Sequence, residues 1–308
     1  MLPIDGFKVR IVEMDSFSFD ITRGREILRL DGCDHPSLLG FNLIEADPFL
    51  FVYNEKLFLF YESMKYGGRG VINMISTTNL KDWTKPITVL KEKCHLSYPF
   101  VFFNEKTNEI FMIPETCQLK EIRLYKGANE DLTDFRYYKT IMRDNVVSTQ
   151  ISFSDSSVFI KDGVYYLHTT RQIENNNVLE LYVSSNIDGP YCRHPSSPIL
   201  KDLKFGRNGG ALMTINDKIY RPVQNCAVGY GGDLGIFEVN EISNSNYMET
   251  ILSDNVLLGK SAYYKNGGHH FQCVKFAGKY IISTDAKVQN KYVANRIFDK
   301  IKILLRIY

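Results

Sequence analysis

The sequence predicts an all-β chain folded as a five-bladed β-propeller, with a short amphipathic helix at its C-terminal end. Three observations predict it. An apolar phrase recurs five times, anchored at Asp47, Pro99, Asp155, Gly209 and His269, so that successive copies stand 52 to 60 residues apart. A period near 50 residues with several strands per copy is the sequence signature of a propeller. Each phrase meets a turn cluster (54–56, 105–108, 161–163, 216–218 and 277–279) and then a second run rich in Phe, Tyr, Ile and Leu, which is the pattern of a hairpin. Helical periodicity is nearly absent up to residue 290.

The elements follow in order. Residues 1–39 contain strand-like stretches such as 8–12, expected to pack on the propeller or to close the ring by pairing with the last blade, since closure removes exposed edges. The propeller itself is expected over about 40–295, within a single domain of residues 1–308. Second strands at 57–61, 110–113, 164–167, 219–220 and 280–282 are apolar on both faces, as in the middle of a blade packed between neighbours. Third strands follow at 70–76, 122–125, 179–183 and 234–239, and outer strands at 87–90 and 137–141. Over 292–308, Val293, Ile297, Ile301 and Leu304 recur at helical spacing, with Lys291, Arg296, Lys300 and Lys302 largely opposite. Such a basic amphipathic helix docks on its own domain or rests on an anionic membrane.

Bulk numbers narrow the function classes. The 308 residues are 44% hydrophobic and 23% charged, enough for a sizeable core, and the net charge of +2 is too near neutral to suggest nucleic-acid binding. Six cysteines (Cys33, Cys94, Cys117, Cys192, Cys226 and Cys273) form no C-x-x-C pair, so free thiols are expected and not a zinc or redox motif. No basic n-region precedes an apolar run at the N-terminus, and no stretch approaches 18 apolar residues, so neither a secretory signal nor a transmembrane helix is expected. The expected location is cytoplasmic, with membrane contact at most peripheral, through the C-terminal helix. Phosphate-binding, dinucleotide, nucleophile-elbow and H-E-x-x-H motifs are all missing, and no cofactor is indicated.

Propellers gather residues from several blades around a central funnel, and glycosidic-bond chemistry needs two carboxylates facing one bond. Asp47 and Asp155 open the first inner strands of blades one and three at the same register. An Asp beside a strand entry also caps turns, so one alone says little; two at one register suggest chemistry. Glu62 and Glu115 end the second strands of blades one and two, 15 and 16 residues after their anchors. An apolar setting raises a carboxyl pKa, which makes Glu115 the expected acid, with a salt bridge as the alternative. Arg207-Asn208-Gly209-Gly210 opens blade four: the glycines admit close backbone approach, and the Arg suits a carboxylate or phosphate. Arg221 and Gln224 close the second strand of that blade, while His95 and Tyr98 precede blade two, within reach of the same funnel. His269 and His270 open blade five; neighbours in a strand point to opposite faces, so the pair suits substrate contact better than one shared metal, and no metal-ligand set is expected.

Together, Glu45-Ala46-Asp47-Pro48, Phe60-Tyr61-Glu62, His95-Leu96-Ser97-Tyr98-Pro99, Ile113-Pro114-Glu115, Arg207-Asn208-Gly209-Gly210 and Tyr220-Arg221-Pro222-Val223-Gln224 resemble the five-bladed propellers of the glycoside hydrolase 43/32/68 superfamily. The resemblance is to a branch found in bacterial surface-polysaccharide gene clusters, similar to the N-terminal propeller of plant glucosamine inositolphosphorylceramide transferases. In the hydrolases it implies an Asp base or nucleophile on blade one, an Asp on blade two and a Glu acid on blade three. Asp47 matches the first; blade two offers Tyr98-Pro99, and blade three Asp155. The resemblance implies a carbohydrate-active enzyme of capsule or lipopolysaccharide synthesis. Asp47, Glu115 and Asp155 would be catalytic, and Glu62, His95, Tyr98, Arg207, Arg221, Gln224, His269 and His270 would bind a carbohydrate substrate. Glycosyl transfer from a nucleotide-sugar donor is the first expectation. A non-catalytic glycan-binding propeller and a furanosidase-type hydrolase are the alternatives.

Overall fold

The computed structural model describes residues 6–32, 43–65, 68–144 and 151–289. The chain opens with strands β1 (Gly6–Met14) and β2 (Arg25–Leu30). Blade one is β3 (Leu43–Tyr53), β4 (Lys56–Lys65), β5 (Val71–Thr77) and β6 (Ile87–Leu90), running in that order from the axis outward. Blade two repeats the meander with β7 (Ser97–Asn104), β8 (Glu109–Glu115), β9 (Glu121–Gly127) and β10 (Phe135–Arg143). Blade three has β11 (Ile151–Lys161), β12 (Val164–Ile173), β13 (Asn176–Ser184) and two short outer pieces, β14 (Cys192–Arg193) and β15 (Leu200–Lys201). In blade four the innermost strand is broken into β16 (Arg207–Asn208) and β17 (Met213–Ile215), followed by β18 (Lys218–Asn225), β19 (Asp233–Ile242) and β20 (Tyr247–Ser253).

Blade five closes the ring. Only β21 (Phe271–Phe276) and β22 (Lys279–Val288) come from the end of the described chain, and β1 and β2 supply the third and outer strands. β1 pairs with β22 without a break from Gly6↔Val288 to Met14↔Tyr280. The N-terminal segment is thus part of the propeller, which begins at β1 and not near residue 40. The expected C-terminal helix of 292–308 lies outside the described residues. Among the described residues no helix is long and apolar enough to cross a membrane.

The double-sided apolar strands pack in the seams between blades. Phe60, Met74, Val101 and Tyr125 fill the seam between blades one and two; Phe100, Ile113, Val158 and Leu167 that between two and three. Tyr166, Leu181 and Val239 join blades three and four; Leu234, Phe271 and Ile282 join four and five; Ile11, Leu59, Tyr61 and Ile281 join five and one.

The inner strands of the first three blades share one irregularity. Asp47, Tyr98 and Asp155 have φ of 50°, 46° and 50°, and the ladder register slips at each, between Ala46 and Phe49, Ser97 and Phe100, and Ser154 and Ser157. These are β-bulges with the extra residue in the left-handed region, a device that re-aims one side chain at the cost of about 1 kcal/mol or more of backbone strain. The structural equivalents are therefore Asp47, Tyr98 and Asp155, which shifts the blade-two anchor from Pro99 to Tyr98. Gly209 and Gly210 take the equivalent place in blade four. They leave room for protein and not for a ligand: a Cβ on Gly210 would stand 2.1 Å from the carbonyl oxygen of Phe271 in the next blade.

Fully buried Ile11 of β1 packs in the closing seam. Ile11→Ala is expected to lower stability by about 2–5 kcal/mol, as core truncations do. Urea unfolding measures this; a loss below about 1 kcal/mol would show that β1 is not part of the packed core.

Candidate functional site

The bulges and the blade-four glycines sit at one end of the axis, where a ring of hydrogen bonds passes from blade to blade. The Asp47 N–H donates to Asp285 Oδ2 of β22 at 3.2 Å. The Tyr98 N–H donates to Asp47 Oδ2 at 3.0 Å, and the Asp155 N–H to Glu115 Oε2 at 3.1 Å. Asn208 Nδ2 donates to the Asp155 carbonyl at 3.0 Å, and the Phe271 N–H to the Gly209 carbonyl at 2.8 Å. All five blades are linked, and the bulge residues are links in the chain. The adjoining second-strand positions carry the other carboxylates, because Glu62 and Glu115 pair with Ala46 and Ser97, the residues just before two of the bulges.

Five acidic residues thus converge: Asp47, Glu62, Glu115, Asp155 and Asp285, all buried. Their environments differ. Asp285 is completely enclosed; Oδ1 accepts the N–H groups of His269 (2.8 Å) and His270 (3.1 Å), and Oδ2 lies 2.6 Å from His269 Nδ1. Burial alone would raise its pKa, but the His269 imidazole outweighs this and holds Asp285 below the usual carboxylate range. The same contact overcomes burial at His269 and raises its pKa. Asp155 is paired with Arg207, whose Nε donates to Oδ2 at 2.6 Å. Burial, resisted by Arg207, pushes Asp155 up to about 6. Burial, resisted by His269, pushes Asp47 up to about 6 as well. Glu62 has no comparable cation. Burial and the charges of Asp47, Glu115 and Asp285 hold it well above the ordinary range, and among the described residues its one basic neighbour is His95, with Nε2 at 3.4 Å and a pKa lowered by burial.

The two histidines of blade five do not behave as neighbours in a strand. Residues 267–270 precede β21 and lie outside the ladder, bent so that both N–H groups converge on Asp285. As a result His269 Nδ1 and His270 Nδ1 lie 3.9 and 4.0 Å from the same Asp47 oxygen, against the expectation of opposite faces. Burial drops the pKa of His270 to about 3, so its ring is neutral. The ligand atoms of Asp47, His269 and Asp285 lie within 4.8 Å of one another, a spread one cation could bridge that the sequence reading had not found.

Two of the residues expected to contact substrate, Arg221 and Tyr98, serve the framework. Arg221 is fully buried, held by Glu249 through Nε (2.8 Å) and Nη2 (2.6 Å) and stacked 5.1 Å from the Phe237 centroid. Gln224, three positions on and so on the opposite face of β18, does reach the axis: Nε2 bonds the Asn208 carbonyl at 3.0 Å and lies 3.5 Å from Asp155 Oδ2. The Tyr98 ring is buried between Phe49 (4.7 Å) and His270 (5.9 Å), leaving its backbone N–H as its contribution to Asp47. His95 is partly exposed at the rim.

Three residues at this end were missed. Asp285 lies 15 and 16 residues after His270 and His269, the offset that also marks Glu62 and Glu115; that offset would have found it. Phe7 of β1 stacks on His269 with centroids 4.2 Å apart and planes 9° from parallel. Tyr230, in the blade-four loop, lies over Arg207. No motif announces either aromatic residue.

A five-bladed propeller with a carboxylate-lined axial mouth is the class this architecture defines. Residues 32–286 match the family described as glucosamine inositolphosphorylceramide transferase 1, N-terminal, and the chain belongs to that family. The chain is 32% identical over 245 residues to glucosamine inositolphosphorylceramide transferase 1 of Oryza sativa subsp. japonica. That match covers 75% of this chain and 31% of the relative, so the chain spans under a third of that protein's length. Two solved structures share the fold. A GH43 protein from Bacillus licheniformis has a TM-score of 0.57 at 16% identity, covering 82% of this chain and 55% of its own. The Bombyx mori GH32 β-fructofuranosidase has a TM-score of 0.57 at 15% identity, covering 78% and 54%.

Asp47 holds its proton more tightly in the folded protein, at about 6, than in the unfolded chain, at about 4. Its contribution favours folding below about pH 4 and is lost as pH rises through 6. Asp47→Asn is therefore expected to gain stability over the parent as pH goes from 4 to 8, by on the order of a few kcal/mol. Thermal unfolding at pH 4, 6 and 8 tests it; a difference that stays constant with pH would rule out a desolvated Asp47.

Proposed function

We propose that the axial mouth is a carbohydrate site that makes or breaks a glycosidic bond, with Asp47 as base or nucleophile and Glu62 as proton donor. One observation carries the reading: two buried carboxyl groups at the mouth, Asp47 and Glu62, lie at adjoining ladder positions but in different electrostatic surroundings. Burial, resisted by His269, raises Asp47 to about 6, whereas burial reinforced by the charges of Asp47, Glu115 and Asp285 holds Glu62 well above the ordinary range. Acid–base pairs at one bond are recognised by such a separation. In this reading Glu62 protonates the departing oxygen while Asp47 takes a proton from the incoming hydroxyl or water, or attacks the anomeric carbon itself. Glu115 takes a supporting role, because its Oε2 is committed to the Asp155 N–H. Asp155, clamped by Arg207, orients that cation toward substrate.

Transfer is favoured over hydrolysis. The family is named for a transferase, and a donor with a phosphate leaving group has less need of a strong acid on blade three, where Asp155 is bound to Arg207. The substrate class that the relatives' name suggests is a glucosamine-type sugar and an inositol phosphate acceptor. Capsule or lipopolysaccharide synthesis, a cytoplasmic location and a nucleotide-sugar donor belong to the same proposal. A second reading, glycan binding without turnover, is favoured by Tyr98 on blade two, where a hydrolase of this fold would carry a carboxylate.

The test is turnover of nucleotide sugars, oligosaccharides and 4-nitrophenyl glycosides, with products identified by mass spectrometry. Asp47→Asn is expected to abolish turnover with the fold intact. Glu62→Gln is expected to lose about 10²–10⁴-fold on substrates with poor leaving groups, and far less on 4-nitrophenyl glycosides, which depart without a proton. Full activity of Asp47→Asn would remove Asp47 from the mechanism. Ligand binding by the parent protein with no product would favour the binding-only reading.

A further inference from the structure

Tyr230 sits at the mouth, and the proposed chemistry leaves it without a role. Its loop joins β18 to β19, with Gly229 at φ 102° and Gly231 at φ 67° on either side, a path that residues with a Cβ rarely follow. Lys287 Nζ donates to the Tyr230 carbonyl at 2.6 Å, tying the loop to β22 beside Asp285. The Arg207 guanidinium carbon lies 4.9 Å from the centroid of the Tyr230 ring. The ring crosses those of His269 (5.1 Å, 73°) and Phe7 (6.0 Å, 74°). It is braced from three sides, yet the residue is 48% exposed. Arg207 spends its Nε on Asp155, and among the described residues its two Nη groups have no hydrogen-bond partner.

A rigid, half-exposed aromatic face beside unused donors and a carboxylate cluster is what a sugar ring needs. The C–H face of the sugar lies on the aromatic ring, and its hydroxyls meet donors and acceptors at the edge. We propose that Tyr230 is the platform on which the sugar of the ligand stacks, with the Nη groups of Arg207 bonding hydroxyls at the border of that ring. The inference rests on the carbohydrate reading above and adds the residue that holds the sugar.

Saturation-transfer NMR and calorimetric titration would be run on the full chain, with methyl glycosides of the common hexoses, hexosamines and pentofuranoses as probes. For the glycoside that binds, Tyr230→Ala is expected to weaken affinity about tenfold, the scale of one aromatic contact. Tyr230→Phe, which keeps the face, should stay within about twofold of the parent on the same scale. Unfolding temperature should not change in either variant. Parent-like affinity in Tyr230→Ala would overturn the platform while leaving the carbohydrate reading intact. An equal loss in Tyr230→Phe would overturn it too, by assigning the contact to the hydroxyl. Binding of no glycoside by the parent would defeat the carbohydrate reading, and the platform with it.

Discussion

One buried carboxylate organises the mouth of this propeller. Asp285 is sealed from solvent, and its two oxygens accept backbone N–H groups from His269, His270 and Asp47 and meet the imidazole of His269. A carboxylate deprived of water costs several kcal/mol unless donors replace the water, and three backbone N–H groups and the His269 imidazole do so here. The same contacts bend 267–270 out of the ladder and bring both His side chains toward Asp47. They also fix the entry of blade one, whose bulge residue supplies one of the donors. Without Asp285, the Asp47 N–H and both histidine N–H groups lose their shared acceptor.

From that point the charges divide around the axis. His269 answers Asp285 and Arg207 answers Asp155, each at 2.6 Å. Asp47 is left with a partial claim on His269, and Glu62 with none beyond a weakly basic His95. Side chains of the same chemical type, gathered at one mouth, therefore hold protons with different strength. Nothing in their covalent structure distinguishes them; the difference comes from which blade carries a cation at the matching register.

Much of the fold was legible in the sequence, because a blade repeats and repetition survives individual substitutions. The outer strands at 87–90 and 137–141 and the closing role of residues 8–12 all have their counterparts in the structure. Asp47, Asp155, Glu62 and Glu115 were legible as a constellation for the same reason: equal offsets in equal units place them at equal heights. What was hidden depends on departures from the repeat. His269 and His270 were expected to diverge because strand geometry was assumed where the chain leaves the ladder. Arg221 looked like a mouth residue beside Gln224, although three positions along a strand put two side chains on opposite faces. Tyr230 stands among glycines in a loop whose course is set by Lys287, and a contact of that kind leaves no trace in periodicity.

Phe7 and His269 stack face to face although 262 positions separate them in the chain. The first described strand thus forms part of the wall behind the reactive end of the last blade. Such a contact is remote in sequence and late in any order of assembly, since the loop it closes contains nearly every other strand. During synthesis, four blades can take shape while Asp47 and Asp155 lack the imidazole that tunes them. Competence at the mouth therefore arrives only when the circle is complete, so any activity there would report that the whole ring has formed.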